Sequence, residues 1–185
     1  MTDSSQHILS ALGRCVGRDH SEARSMPPAF YTSSEFSELE KTSLFREQWI
    51  GLGRADQIPK PGDYFTVDPV GEPLIVVRGQ DSQINILSNV CRHRGSLIAE
   101  GAGTAKNFIC PYHAWSYATD GKLLRAPLIA ERSDFDVENC RLPRFACELW
   151  GGFIYVNLSN EAPPLAPQLA GLSELLTHYH MDEMV

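Results

Sequence analysis

Two short motifs in the middle of the chain each place a histidine just after a cysteine. One residue separates Cys91 from His93, and two residues separate Cys110 from His113. Together they supply two soft thiolates and two imidazoles. This is the ligand set of a [2Fe–2S] cluster in which two cysteines hold one iron and two histidines hold the other. If each motif gives one ligand to each iron, both motifs are needed to hold both irons. The pattern therefore predicts an electron-transfer centre.

The same residue types could hold a structural zinc ion, and the order of the ligands discriminates between the two interpretations. Zinc modules usually bring their ligands as pairs of like residues, Cys-x₂₋₄-Cys and His-x₃₋₅-His, on a hairpin or a helix. Here each pair is mixed. The mixed order favours the iron–sulfur interpretation.

Composition restricts the partners and the compartment. A chain of 185 residues can form one well-buried domain with appendages or at most two small domains. Its net charge of −7 argues against binding to nucleic acid or to an anionic membrane. No apolar run approaches the ~20 residues that a membrane span requires, and the N-terminus lacks the basic start of a secretory signal.

With Cys91 and Cys110 committed to iron, three cysteines remain. This odd number suits free thiols in the reducing cytoplasm.

Four segments are predicted along the chain. Residues 1–32 are polar and are expected to form an N-terminal arm with a short helix. A helix capped by a serine is predicted over 33–49 and is expected to pack on the domain that follows. Residues 50–160 should form the cluster-binding domain. Residues 161–185 begin with a proline-rich linker, continue as a short apolar helix, and are expected to lead into a further, catalytic domain.

The cluster domain is predicted to be mainly β. Segments 89–97 and 110–117 carry the ligands and interrupt a series of short strands punctuated by turns, among them the hairpin signal Asp120-Gly121. The predicted strands are 50–54, 64–67, 74–78, 84–88, 123–124, 144–149 and 153–157. This spacing predicts an antiparallel β-sandwich or barrel with two cluster-binding loops, accompanied by an N-terminal helix and a short C-terminal helix.

The motifs resemble those of a known enzyme family. Residues 89–95 (NVCRHRG), residues 110–115 (CPYHAW) and the upstream PGDY at 61–64 look like the N-terminal part of a Rieske non-haem iron oxygenase α subunit. Within the family the chain resembles enzymes that hydroxylate aromatic rings and relatives that oxidise quaternary amines. The resemblance covers roughly residues 28–160. One departure is Ala114, where glycine is commoner in the family.

The resemblance implies a division of labour between domains. The Rieske cluster would pass electrons from a reductase or ferredoxin to a mononuclear Fe(II) held by two histidines and one carboxylate, for O₂-dependent hydroxylation or demethylation. In the family that iron belongs to the catalytic domain of a neighbouring subunit. This chain alone is therefore expected to hold no catalytic residue and to be inactive. His178, His180 and Asp182 are interpreted as solvated residues at a helix end, because no substrate pocket accompanies them.

The residues around the ligands suggest a low redox potential. Exchanging two cysteines for histidines makes the oxidised cluster neutral, which raises the potential from about −400 mV to roughly −150 to +300 mV. High-potential Rieske proteins add a cysteine to each loop and a serine after the second ligand pair. The chain has Ser96, Tyr112 and Trp115 at those positions. We therefore expect a potential near the low end of this range, with Tyr117 as the remaining hydroxyl that can donate towards a cluster sulfur.

Two roles stay open for the residues that flank the ligands. Arg92, Arg94 and Trp115, beside Gly95, could form the rim on which a reductase or ferredoxin docks. Alternatively, Arg94 pairs with a local carboxylate and Trp115 packs under the loop.

A stand-alone Rieske ferredoxin is the alternative function, and a metal-dependent binding module without redox work is a third. A ferredoxin is ordinarily shorter and would not need the helix at 33–49 or the segment after 161.

Overall fold

The computed structural model describes residues 3–16, 19–127, 129, 135–159, 161–181 and 183–184. The chain divides into two compact units, Met1–Glu47 and Gln48–Val185. Among the described residues, no helix combines the length and the apolar character needed to cross a membrane.

The first unit is helical. Its helices are α1 (Asp3–Gly13), α2 (Ala29–Thr32) and α3 (Ser34–Glu40), with a short 3₁₀ turn at His20–Glu22. Helix α1 contacts α3, and the unit buries Ile8 and Ala11 from α1 and Phe36 from α3. The predicted short helix in the N-terminal arm is therefore present.

The predicted start of the helix at 33–49 is correct and its predicted end is wrong. The Ser33 hydroxyl accepts the backbone N–H of Phe36 at 3.1 Å and caps α3. Beyond α3 the helix widens into a π-helical turn over Lys41–Phe45 and ends there, before Trp49. The Thr42 hydroxyl donates to two carbonyl oxygens of the preceding turn, which competes with the regular helical hydrogen bonds.

The second unit contains two antiparallel sheets. Its strands are β1 (Ile50–Arg54), β2 (Asp63–Val67), β3 (Leu74–Arg78), β4 (Ile84–Ser88), β5 (Ala102–Thr104), β6 (Asn107–Ile109), β7 (Ser116–Ala118), β8 (Leu123–Arg125), β9 (Arg144–Trp150) and β10 (Phe153–Asn157). The larger sheet has the order β1-β10-β9-β4-β3-β2-β5, and the smaller has the order β6-β7-β8. The mainly-β antiparallel class predicted from sequence is confirmed, with β4 at the centre of the larger sheet.

Both faces of the central strands are buried. Successive side chains of a strand point to opposite faces, so Leu74 of β3 packs in a core with residues of β10. Its neighbour Ile75 packs in a second core that contains residues of the smaller sheet together with Cys91 and Cys110. The smaller sheet therefore covers one face of the larger sheet, and the cysteines lie in the layer between them.

The hairpin predicted at Asp120-Gly121 is present between β7 and β8. Gly121 has φ +87° and donates its N–H to the carbonyl oxygen of Ala118 at 2.9 Å. A Cβ at Gly121 would lie 3.0 Å from the carbonyl oxygen of Leu142, so both the conformation and the close approach require glycine.

The segment after the proline-rich linker forms two short helices instead of one. They are α4 (Leu165–Gln168) and α5 (Ala170–Leu176), followed by a 3₁₀ turn at Thr177–Tyr179. Of the apolar residues at helical spacing, Leu165 is buried, whereas Leu172 and Tyr179 are exposed. The carbonyl oxygen of Met181 accepts a hydrogen bond from the Arg54 guanidinium at 3.1 Å, which holds the end of this segment to β1.

Candidate metal centre

The first ligand motif lies in the connection from β4 to β5 and forms a tight turn. Cys91 donates its N–H to the carbonyl oxygen of Ser96 at 2.9 Å and accepts the N–H of Gly95 on its own carbonyl at 3.0 Å. Gly95 has φ +71°, a conformation that glycine adopts without steric cost. The turn therefore fixes the backbone of Cys91 from both sides.

The second motif connects β6 to β7 and repeats the same hydrogen-bond pattern. Cys110 donates its N–H to the carbonyl oxygen of Trp115 at 2.8 Å and accepts the N–H of Ala114 at 3.0 Å. Ala114 occupies the position equivalent to Gly95 and has φ +55°. This left-handed conformation is unfavourable for alanine, because its Cβ approaches the following carbonyl oxygen.

The two turns bring the four predicted ligands together. Cys91 and Cys110 are each only 2% exposed, and the rings of His93 and His113 lie 4.5 Å apart at 70°. The Nδ1 atoms of both rings are buried, and neither has a hydrogen-bond partner within the described residues. A buried polar atom without a partner is costly and rare, and it calls for an explanation such as a missing ion. The donor set therefore fits a metal group bound between the turns.

The described residues contain no preformed group of ligands for one metal ion. Within the described ranges, no three side chains of histidine, cysteine, aspartate or glutamate converge so as to hold a single ion. A structural zinc site requires four ligands around one point. A [2Fe–2S] cluster instead divides its ligands between two irons, which is the arrangement that the mixed Cys–His order of the two motifs predicts.

The surroundings shift the pKa values of three of the predicted ligands in different directions. Burial raises the pKa of the Cys91 thiol. Burial acts in the same direction on Cys110, but hydrogen bonds from the N–H groups of Tyr112 and His113 and from the side chains of Cys91 and Ser96 together outweigh it and lower the pKa of that thiol. Burial also lowers the pKa of His93, and His113 and Arg94 add to the effect. A neutral imidazole is the form that binds metals.

Tyr117 is positioned to donate a hydrogen bond to the sulfur of Cys91. It is fully buried, and its Oη lies 3.3 Å from the Cys91 Sγ. The same oxygen accepts the backbone N–H of Arg92 at 3.1 Å. Burial raises the pKa of the Tyr117 phenol, so the hydroxyl keeps its proton. When Cys91 is a thiolate, only the tyrosine can be the donor.

The structure places the flanking residues in two different environments, one buried and one exposed. Trp115 is buried, and its ring is stacked on His93 at a centroid distance of 4.8 Å and an angle of 8°. This placement corresponds to packing under the loop. Arg92, Arg94 and Gly95 are exposed, and no ion pair links either arginine to a carboxylate in the described parts of the chain.

Two residues beside the ligands make contacts that were not predicted from the sequence. Tyr112 is 59% exposed, and its ring lies 3.8 Å from that of His113. Asn89 is buried and its side-chain amide closes the first ligand turn. That Tyr112 precedes a predicted ligand is visible in the sequence, whereas the contacts of Asn89 depend on a turn closure that spacing does not reveal.

The remaining candidates lie outside this cluster of ligands. His180 is exposed, with its Nδ1 3.9 Å from Glu183, and His178 is also exposed. Asp182 lies outside the described residues. The three further cysteines are free, as expected: Cys15, Cys140 and Cys147.

Comparisons with known proteins agree with the geometry. The sequence profile of the Rieske [2Fe-2S] domain matches residues 48–145. The carnitine monooxygenase oxygenase subunit of Acinetobacter baumannii is 38% identical over 155 residues, which cover 83% of this chain and 42% of that protein. The benzene 1,2-dioxygenase subunit alpha of Pseudomonas putida is 35% identical over 166 residues, which cover 89% of this chain and 36% of that protein.

A solved structure shows the same fold. It is that of a quaternary ammonium Rieske monooxygenase, described in terms of carnitine oxidation and inter-subunit electron transfer. It superimposes with a TM-score of 0.79 at 36% identity, covering 84% of this chain and 43% of that one. The chain thus spans less than half the length of each of these relatives.

The left-handed conformation of Ala114 leads to a stability prediction. Ala114→Gly is expected to raise the free energy of unfolding by about 0.5–1 kcal/mol, because relief of the Cβ contact outweighs the added chain entropy of glycine. Urea unfolding followed by circular dichroism measures the change.

Ala118→Gly is the matched control on the adjacent strand β7. Its backbone is extended, so glycine there should lower the free energy of unfolding by about 0.5–1 kcal/mol. Equal losses of stability in both variants would show that Ala114 is not strained.

Proposed function

The chain belongs to the Rieske [2Fe–2S] domain family, and on this premise we propose that it is the electron-relay domain of an oxygenase α subunit. The proposed cluster ligands are Cys91, His93, Cys110 and His113. The observation that carries this assignment is the pair of buried, unpartnered imidazole Nδ1 atoms beside two buried thiols. The free ferredoxin is the weaker alternative, because the relatives named above are oxygenase subunits.

The side chains of this domain bind the group, exclude water from it and orient it. When bound, the cluster supplies reversible one-electron transfer. The buried cysteines and the stacked Trp115 enclose the sulfur side in an apolar core. The two histidine rings are only half-buried, which makes their edges the side of the site that is open to a partner.

The first test is spectroscopic and does not depend on a substrate. Anaerobically purified protein should contain iron and sulfide, and reduction should bleach its visible absorption and produce the EPR signal of a [2Fe–2S] cluster with mixed ligands. His93→Ala should remove most of the cluster, since one iron loses half of its protein ligands. His178→Ala, at an exposed histidine, is the control and should leave the cluster intact. Bound zinc without an EPR signal would refute the assignment.

The contact of Tyr117 predicts a change in potential. Tyr117→Phe removes a donor to the Cys91 sulfur, and such a hydrogen bond favours the reduced, more negative state of the cluster. The midpoint potential should therefore fall, by tens of millivolts as an order of magnitude for a charge-assisted hydrogen bond. A redox titration followed by visible absorption measures the shift.

Tyr155→Phe is the control for that titration, because Tyr155 lies on β10 and is half-buried. It should leave the midpoint unchanged. A Tyr117→Phe protein with an intact cluster and the wild-type midpoint would show that the hydroxyl does not act on the redox centre.

We also propose that a reductase or ferredoxin docks at the histidine side of the domain. Arg92, Arg94 and Tyr112 are exposed there, and arginine and tyrosine are enriched at the centres of protein interfaces. Arg92 and Arg94 have no carboxylate partner among the described residues, and two such cations on a chain of net charge −7 favour a partner whose docking face is acidic.

The docking surface can be tested by the rate of reduction. The double variant Arg92→Gln/Arg94→Gln should be reduced about tenfold more slowly by an acidic ferredoxin at low salt, because steering depends on charge. The difference should shrink at high ionic strength, and the midpoint should stay unchanged. Lys122→Gln, at another exposed cation, should be reduced at nearly the wild-type rate. Loss of the cluster from the double variant would instead assign the arginines a structural role.

We place the substrate chemistry of the whole enzyme outside these residues. The relatives are more than twice as long as the segments they share with this chain. We therefore propose that a mononuclear iron in a catalytic domain, on the same chain or on a neighbouring α subunit, receives the electrons. The relatives oxidise carnitine and benzene according to their names, so oxidation of a quaternary amine and of an aromatic ring are both compatible with this domain.

We propose the cytoplasm as the compartment, because free cysteines suit its reducing conditions.

A further inference from the structure

Asn89 connects the central strand of the larger sheet to the first ligand turn. It follows β4 directly and is only 3% exposed. Its Nδ2 donates to the carbonyl oxygen of Ala99 at 2.8 Å. Its Oδ1 accepts the N–H groups of Ile98 at 3.1 Å and of Ala99 at 2.9 Å. One side chain therefore makes three hydrogen bonds to the backbone just beyond the turn.

These bonds close the base of the ligand turn. The backbone also helps to close this segment, through the bond from the Ile98 N–H to the carbonyl oxygen of Asn89 at 3.1 Å and the bridge from Val90 to Leu97. The side chain of Asn89 adds to these contacts. Cys91 and His93 lie inside the closed segment, so their backbone positions depend on this closure. An amide is suited to it because it donates and accepts at once, whereas a carboxylate only accepts and an apolar side chain does neither.

A second asparagine ties the other ligand-bearing segment to the same strand. Asn85 lies on β4, is 3% exposed, and donates its Nδ2 to the carbonyl oxygen of Thr119 at 3.1 Å. Thr119 immediately follows β7 and belongs to the hairpin that also carries Tyr117. Both halves of the metal site are thus anchored by buried amides to β4.

We propose that Asn89 is a positioning residue for the redox centre, which holds Cys91 and His93 in register with the second ligand turn. The proposal rests on the function proposed above. The side chain of Asn89 bonds to the backbone of Ile98 and Ala99, and it acts by keeping the first turn closed. Its loss should therefore increase local opening of that turn before the sheets unfold.

The experiment compares iron release from the full chain. Cluster-loaded wild type, Asn89→Asp and Asn89→Leu are exposed to an iron chelator, and the visible absorption is followed with time. Asn89→Asp keeps the acceptor oxygen and loses the donor, and loss of one buried hydrogen bond should speed release about tenfold. Asn89→Leu loses all three bonds and should release iron faster still. The EPR lines of the reduced variants should broaden, because the ligand geometry becomes less uniform.

Asn157→Asp is the matched control. Asn157 is a fully buried asparagine on β10 whose Oδ1 accepts the N–H of Ser159 at 2.7 Å, away from both ligand turns. This variant should lose thermal stability because it buries a carboxylate, but it should release iron within about twofold of the wild-type rate, since Asn157 lies on β10 and not in a ligand turn.

Different outcomes refute the proposed function and the positioning role of Asn89. Wild-type protein that never binds a [2Fe–2S] cluster would refute the proposed function. If wild type binds the cluster and Asn89→Asp releases it at the wild-type rate, the positioning role is refuted. The same conclusion follows if Asn157→Asp accelerates release as much as Asn89→Asp does. Faster release confined to the Asn89 variants, with broadened EPR lines, supports the role even if Asn89→Leu fails to fold.

Discussion

The enclosure of four candidate metal-binding atoms beneath two tight turns is the constraint on which the rest of this structure depends. Two thiols and two imidazole nitrogens lie buried, and the nitrogens have no partner among the described residues. Each unsatisfied buried group costs about 1–3 kcal/mol. A metal group bound between the turns would offset this cost. The two sheets and their hydrogen-bonded turns hold these atoms in place before any ligand binds.

The site is divided into an apolar side and an open side. The cysteines belong to a core shared by the two sheets, and Trp115 extends that core as far as the ring of His93. The histidine rings are half-buried, and the exposed side chains of Arg92 and Tyr112 lie next to them in sequence. Water is thus excluded from the sulfur side, and a protein partner can approach the imidazole edges. This asymmetry suits a centre that exchanges electrons with another protein while remaining protected from solvent.

The sequence allowed prediction of the features that depend on residue type and of the strands that are five residues long. The mixed ligand pairs identified both loops, and the strands at 50–54, 74–78, 84–88 and 153–157 were predicted with their observed bounds. Strands β5, β6 and β7 are only three residues long, too short for a two-residue alternation to be recognised. The end of the helix predicted over 33–49 was missed because the hydroxyl of Thr42 competes with the regular helical hydrogen bonds. The role of Asn89 escaped prediction because its partners are backbone atoms across a closed turn.

The two ligand turns arise from different sheets, and this has a consequence for the timing of maturation. The first turn follows β4 of the larger sheet, and the second joins β6 to β7 of the smaller one. The core between them also requires Leu142, far along the chain from either turn. Such non-local contacts form late in folding. A nascent chain would therefore present its cysteines and histidines singly, and a complete binding site only once both sheets have met. Capture of the cluster then becomes a checkpoint that a misfolded molecule does not pass.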